Sequence, residues 1–221
     1  MKVVIVIPTY NEENTIGKVI QNLKKKNYNN IIVVDDGSSD SSYEVAKNEG
    51  AIVYKHCINR GLGGALNTGI SAALLEDADI IVTFDADLQH NPNDIKKVMK
   101  PVLDGEVDVA IGNRISKGMP LTRRIGNIGL DLVTYLLFGI YVNDTQSGLR
   151  VFSREAAEEL DLRTNRMEIS SEIIKEIKDK NLRLKSVPIK PIYTDYSLSK
   201  GNSVFGGFKI LYKLIIRRIM D

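Results

Sequence analysis

The first half of the chain alternates between two hydrophobic periods. Apolar runs occur at 2–7, 31–34, 51–54, 79–84 and 107–112; they are short and mostly uninterrupted, as in strands buried on both faces. Between them, near 13–26, 40–48, 64–75 and 93–104, apolar positions recur at helical spacing. Strict alternation of strand and helix requires crossover connections, which predicts an α/β fold with a mostly parallel central sheet flanked by helices. After about residue 115 the order changes. An apolar helix is expected over roughly 124–140, then the polar stretch Asp144–Arg150, helices near 153–160 and 168–180, an extended region at 183–194, and a final helix at about 204–220. No repeat or low-complexity linker divides the chain.

Every polar, turn-forming cluster of the first half falls just after a strand. Strand one is followed by Pro8-Thr9-Tyr10-Asn11-Glu12, strand two by Asp35-Asp36-Gly37-Ser38-Ser39-Asp40, and strand three by Asn59-Arg60-Gly61-Leu62-Gly63-Gly64. Strand four is followed by Asp85-Ala86-Asp87-Leu88-Gln89-His90 and strand five by Gly112-Asn113-Arg114. Open α/β sheets bind ligands beyond the carboxyl ends of their strands, so these loops predict a site along one rim.

The fourth loop is the most chemically loaded. In an extended segment residues two apart point the same way, so Asp85, Asp87 and Gln89 can converge. An all-oxygen donor set suits Mg²⁺ or Mn²⁺ rather than zinc. A lone Asp-x-Asp also ends strands facing water, so its weight comes from the other loops. Asp35 and Asp36 end a buried strand, where an acid can accept hydrogen bonds from a nucleoside; Asp-Gly-Ser-Ser is equally good turn chemistry, and both readings hold if one Asp faces the ligand. Gly61, Gly63 and Gly64 do not complete a dinucleotide fingerprint, because Leu66 stands where the last glycine belongs; they predict close helix packing near a ligand. Arg114, Lys117, Arg123 and Arg124 could hold a second phosphate or form a solvated loop. His56 and His90 have no partners at metal-ligand spacing.

Length and composition fit one soluble globular domain: 221 residues, 43% hydrophobic and 26% charged. A net charge of +2 argues against nonspecific nucleic-acid binding. The single Cys57 fits a reducing compartment. No secretory leader is visible, and no stretch reaches the roughly 18–20 uncharged apolar residues of a membrane span. An intracellular protein with a membrane-facing surface is therefore expected. In the last helix Lys209, Lys213 and Arg217 form a basic stripe, with Arg218 beside it, against a wide apolar face. That pattern suits a helix lying in a membrane interface, or one docked on the core or a partner with its stripe in water. The 124–140 helix carries only Asp131 beyond residue 127 and takes the same pair of readings.

Together, Pro8–Glu12, Val34–Ser38, Asn59–Ala65 and Asp85–His90 resemble family 2 glycosyltransferases of the GT-A fold. Asp144–Arg150 with Gly112-Asn113-Arg114 resembles the branch that makes dolichyl- or polyprenyl-phosphate sugars. The likeness runs over about residues 1–155. It implies that Pro8, Tyr10, Glu12, Asp35, Asp36, Asp85 and Ala86 hold the nucleotide-sugar, with Asp85, Asp87 and Gln89 binding Mg²⁺ or Mn²⁺ on its diphosphate. Arg114, Arg123 and Lys200 would meet the acceptor phosphate, while Gln146 and Ser147 lie beside the sugar and Asp87 and Asp144 act in catalysis. Many relatives carry transmembrane helices that this sequence lacks; others rely on amphipathic helices or small membrane partner proteins.

The expected enzyme is an inverting, metal-dependent transferase. It would move a hexose or N-acetylhexosamine from a nucleotide-sugar, a UDP-sugar ahead of GDP-mannose, to polyprenyl or dolichyl phosphate at the cytoplasmic membrane face. Residues 1–203 would form the GT-A domain and 204–221 an amphipathic anchor. An acceptor phosphate is already anionic, whereas a hydroxyl acceptor would need a base, with Asp144 or Glu168 as candidates. The alternatives are a transferase acting on such a hydroxyl and a non-catalytic nucleotide-sugar-binding module of a membrane complex.

Overall fold

The computed structural model describes residues 1–114, 128–129, 131–132, 134–136, 139–140, 142–165 and 168–192. The strands are β1 (Val3–Thr9), β2 (Ile31–Asp35), β3 (Ile52–Lys55), β4 (Ile80–Thr83), β5 (Val109–Arg114), β6 (Arg150–Ser153) and β7 (Leu184–Ile189). The helices are α1 (Ile16–Lys24), α2 (Ser42–Asn48), α3 (Leu62–Leu75), α4 (Pro92–Leu103), α5 (Arg154–Glu159) and α6 (Ile169–Asp179). The five strands and four helices expected in the first half are all present.

The strands form one sheet in the order β3-β2-β1-β4-β6-β5-β7. All its pairings are parallel except those of β6, which runs antiparallel to both β4 and β5. Alternate residues of β1 feed opposite layers of core. Ile5 and Ile7 pack with α1 and α4, and Val4 and Val6 pack with α3 and α6. Helix α4 starts as its sequence predicts: the Asn91 side chain accepts from Asn93 N (3.0 Å) and Pro92 occupies the first turn, where its missing N–H is not needed.

Two features of this topology position the site. The chain winds outward from β1 to β3 and then returns to place β4 on the other side of β1, so the loops after β1 and β4 flank the crevice where strand order reverses. The strand β6 was not expected from the sequence. Because it is antiparallel, its beginning lies beside the ends of β4 and β5, with Thr83 and Ile111 both paired to Arg150. The stretch 144–149 is thereby delivered onto the acidic loop after β4 and onto Arg114.

Candidate active site

The rim begins with two interlaced loops. Asn11, in the left-handed region (φ 54°), donates its N–H to Ser38 Oγ (2.9 Å) and accepts from Ser39 N at its side chain (2.9 Å). Glu12 N donates to Ser42 Oγ (2.7 Å), and the Glu12 carboxylate accepts from Thr15 Oγ1 (2.8 Å). Pro8 sits within β1 opposite Val34, beyond the last rung of the β1–β4 ladder at Val6 and Thr83. Tyr10 stands exposed on the rim.

Asp35 and Asp36 have different surroundings, as neighbours at a strand end must. Asp36 is a clamp on the loop after β3: Oδ1 accepts from His56 Nδ1 (2.7 Å) and Arg60 N (2.9 Å), and Oδ2 accepts from Gly61 N (2.6 Å). His56 Nε2 in turn lies 3.0 Å from Thr68 Oγ1 on α3. Asp35 Oδ1 accepts from Ser38 N (3.1 Å), but its Oδ2 is buried without a hydrogen bond, with Lys55 Nζ 3.9 Å away. An unmatched buried carboxylate oxygen is costly, so Asp35 is the better placed of the pair to receive a ligand N–H.

After β4 the acids are packed tightly. Asp85 Oδ2 accepts from His90 Nε2 (3.1 Å), and the His90 ring rests against Phe84. Burial alone would raise the Asp85 pKa, but the His90 bond and the charges of His90, Arg114 and Arg150 outweigh it and hold the group below the ordinary carboxylate value. Asp87 moves the other way: burial and then the charge of Asp85 push it up, against the bonds it accepts from Gln89. Gln89 donates to it twice, through its backbone N (3.0 Å) and its side-chain amide. Leu88 between them is left-handed (φ 65°), so the loop does not continue as an extended strand. Ala86 is buried in the core.

These residues fit a hard divalent cation. Two half-buried carboxylates repel each other, burial and then the charge of Asp85 raise Asp87, and Asp85, Asp87 and Gln89 offer oxygen donors. No set of three His, Cys, Asp or Glu side chains with metal-ligating spacing occurs among the described residues. A two-carboxylate site leaves positions for substrate oxygens and water, as Mg²⁺ sites commonly do.

The stretch before β6 closes the group. Gly148 O accepts from Thr83 Oγ1 (2.7 Å), and a Cβ at Gly148 would fall 2.0 Å from Asp85 Oδ1, so the carboxylate keeps its place only against a glycine. Asp144, left-handed (φ 59°), is gripped by Arg114: Nε donates to Oδ2 and Nη2 to Oδ1, both at 2.7 Å, and Arg114 N donates to Oδ2 (2.9 Å). Gln146 donates weakly to Thr145 Oγ1 (3.4 Å), and the Ser147 hydroxyl is buried without a partner. Arg123, Lys200 and Lys117 lie outside the described residues.

Sequence reasoning missed three contributors. Arg150 is fully buried beneath the loop, donating to Thr145 O (3.1 Å) and Ser170 Oγ (2.9 Å); burial lowers its pKa to about 10 although Asp85 and Asp144 favour its charge. Asp131 accepts from Asp144 N, Thr145 N (both 2.9 Å) and Thr145 Oγ1 (2.7 Å), while burial raises its pKa. His90 braces Asp85. The glycines after β3 do allow close packing, but against chain: a Cβ at Gly63 would strike Thr164 O, and Gly64 N donates to Asn165 O (3.2 Å).

An open α/β sheet binds its ligand in the crevice where strand order reverses, and the acids of this chain gather there. The sequence matches the family model for glycosyl transferase family 2 over residues 4–161. The chain belongs to this family and is a glycosyltransferase. The UDP-N-acetylglucosamine–dolichyl-phosphate N-acetylglucosaminyltransferase of Methanococcus voltae is 44% identical over 97% of this chain and 95% of that protein. An uncharacterised protein of Methanocaldococcus jannaschii is 55% identical over 99% of the chain and 93% of its own length. The dolichol-phosphate mannosyltransferase of Pyrococcus furiosus is 31% identical over 97% of the chain and 64% of its own length. Among solved structures, glucosyl-3-phosphoglycerate synthase of Mycobacterium tuberculosis, in complex with Mn²⁺, UDP-glucose and phosphoglyceric acid, superposes with a TM-score of 0.75 at 22% identity. The match covers 98% of this chain and 79% of that one, and shows the shared GT-A fold.

Proposed function

We propose that this glycosyltransferase moves N-acetylglucosamine, or a related hexose, from a UDP-sugar to dolichyl or polyprenyl phosphate with inversion at the anomeric carbon. The named activity of the Methanococcus voltae relative supports the donor and acceptor. GDP-mannose is the second candidate donor, supported by the name of the Pyrococcus furiosus relative.

On this reading the open Asp35 oxygen receives an N–H of the base and Tyr10 offers its ring from the rim, with Pro8 and Glu12 shaping the wall. Asp36 holds the loop that closes the base end. Asp85 and Asp87, with Gln89 beside them, would hold Mg²⁺ or Mn²⁺, which when bound supplies positive charge to stabilise the departing nucleoside diphosphate. Arg114 orients the acceptor phosphate, and Asp144 orients Arg114. A phosphate oxygen attacks the anomeric carbon as the carbon–oxygen bond to the diphosphate breaks, and one displacement inverts the centre.

The observation that carries the acceptor class is the Asp144–Arg114 fork. Both Asp144 oxygens accept from the guanidinium, so the acid is poorly free to take a proton from a hydroxyl, whereas a phosphate arrives already ionised. A lipid-borne acceptor also places the enzyme at a membrane surface, with residues 1–203 as the catalytic unit and 204–221 as an amphipathic anchor on the cytoplasmic face. Incubation with Mg²⁺ or Mn²⁺, a panel of labelled UDP- and GDP-sugars and a short polyprenyl phosphate tests this directly. Label from a UDP-sugar entering the organic phase is the expected result. Transfer only to hydroxyl acceptors would refute the acceptor assignment.

A further inference from the structure

Arg150 is a buried cation without an ion pair. It is 2% exposed, and its hydrogen bonds among the described residues go to neutral oxygens, Thr145 O and Ser170 Oγ. Its Nε is buried with no partner, and among the described residues no carboxylate comes within ion-pairing distance of it. An unpaired guanidinium in the interior is costly, and an apolar side chain of similar size often serves the fold as well or better. Burial lowers its pKa only to about 10, so it stays charged at neutral pH. A charge kept at such cost calls for a use.

Its place in the fold points to one. Arg150 opens β6 opposite Thr83 of β4 and Ile111 of β5. Thr83 leads into the loop that carries Asp85 and donates to Gly148 O, and Gly148 abuts the Asp85 carboxylate. On the other side the guanidinium donates to the carbonyl of Thr145, the residue after Asp144. Asp85 and Asp144 both favour the charged form of Arg150. They do not share it equally. Asp144 is already matched by the Arg114 fork, whereas no Lys or Arg forms an ion pair with Asp85 or Asp87 among the described residues. Arg150 is therefore a spare positive charge, held at a distance from the acids after β4.

A fixed cation there acts on ligands by the sign of their charge. It repels a bare divalent ion and attracts a nucleoside diphosphate, while the two together are anionic and escape the repulsion. We infer that Arg150 is a positioning residue whose charge biases the site against the divalent ion alone and toward the ion carried with its nucleoside diphosphate. The inference rests on the reading of Asp85 and Asp87 as the ion site, and its test separates the two.

The test is binding without turnover, on the full-length protein. Mn²⁺ alone is followed by its electron paramagnetic resonance signal, and UDP alone by calorimetry in the presence of chelator. Arg150→Met, which removes the charge at similar length, should bind Mn²⁺ roughly tenfold more tightly and UDP roughly tenfold more weakly. Arg150→Gln keeps an amide donor without the charge and should shift both affinities the same way; it carries the prediction if Arg150→Met fails to fold. Ser170→Ala removes a hydrogen bond but leaves the charge, and should keep both affinities within about twofold of wild type.

Opposite shifts for cation and anion are the signature of a charge. A merely structural Arg150 would loosen the site, so variants that bind both ligands more weakly would overturn the inference. Unchanged affinities would overturn it too, as would the failure of both neutral variants to fold. Mn²⁺ binding that survives Asp85→Asn undiminished would sink the ion-site reading itself, and the inference with it.

Discussion

Replacing Gly148 by alanine tests the contact that joins the two halves of the site. A Cβ there would lie 2.0, 2.1 and 2.2 Å from Oδ1, Oδ2 and Cγ of Asp85. Ordinary contact between such atoms needs well over 3 Å, so the carboxylate must retreat by on the order of 1 Å. It can do so by turning about its own side-chain bonds, since only the carboxylate group is in the way, and the φ of Gly148 is not in the left-handed region. The stability cost should therefore sit at the low end of overpacking, about 1 kcal/mol. Activity should suffer more. A misplacement of about 1 Å in a group that positions reacting atoms costs roughly 100-fold, or about 2.7 kcal/mol of transition-state stabilisation. The assay is nucleoside diphosphate release across a divalent-ion titration, with thermal melts alongside. We expect kcat/KM to fall about 100-fold and more ion to be required, with a nearly unchanged melt. Gly129→Ala is the control, because nothing lies within 4 Å of a Cβ at that helical position; it should gain up to about 1 kcal/mol of stability and keep full activity. A Gly148→Ala enzyme with wild-type turnover would refute the assignment of Asp85 to the reaction.

Asp87→Asn should abolish turnover yet raise the melting temperature of chelator-treated protein at neutral pH. A carboxyl whose folded pKa is raised lends stability only below its ordinary range and loses it as pH rises through the raised value, so the ionised group is a burden at pH 7. The gain should vanish in acid, and a lowered melting temperature at pH 7 would contradict the argument. Asp36→Ala strands three donors, at His56 Nδ1, Arg60 N and Gly61 N, and should cost about 3 kcal/mol or more in urea unfolding; an unchanged midpoint would show that the clamp is idle. Arg114→Lys keeps the charge but loses the fork onto Asp144, and should raise KM for lipid phosphate more than for nucleotide-sugar. The reverse pattern would remove Arg114 from the acceptor end.

Much of the frame was legible because buried parallel strands leave continuous apolar runs, and Val3–Thr9, Ile31–Asp35 and Ile80–Thr83 stand where those runs predict. Strand β6 was not, for a physical reason. It has four residues, one of them a buried arginine, and an antiparallel strand needs no crossover helix to announce it. Its absence from the sequence reading hid how 144–149 reaches the acids after β4. The histidines read as partnerless because spacing rules look for metal ligands; their partners are carboxylates, Asp36 for His56 and Asp85 for His90. The paired acids Asp35-Asp36 looked equivalent in sequence, but strand geometry sends successive side chains opposite ways, and only one of them keeps an open oxygen.

The most direct measurement of the central claim is product stoichiometry with UDP-N-acetylglucosamine, polyprenyl phosphate and Mn²⁺. The account predicts one UDP released for each sugar entering the organic phase, in a product joined through a single phosphate with inverted anomeric configuration. Release of UMP with a diphosphate-linked lipid, or retention of configuration, would contradict it.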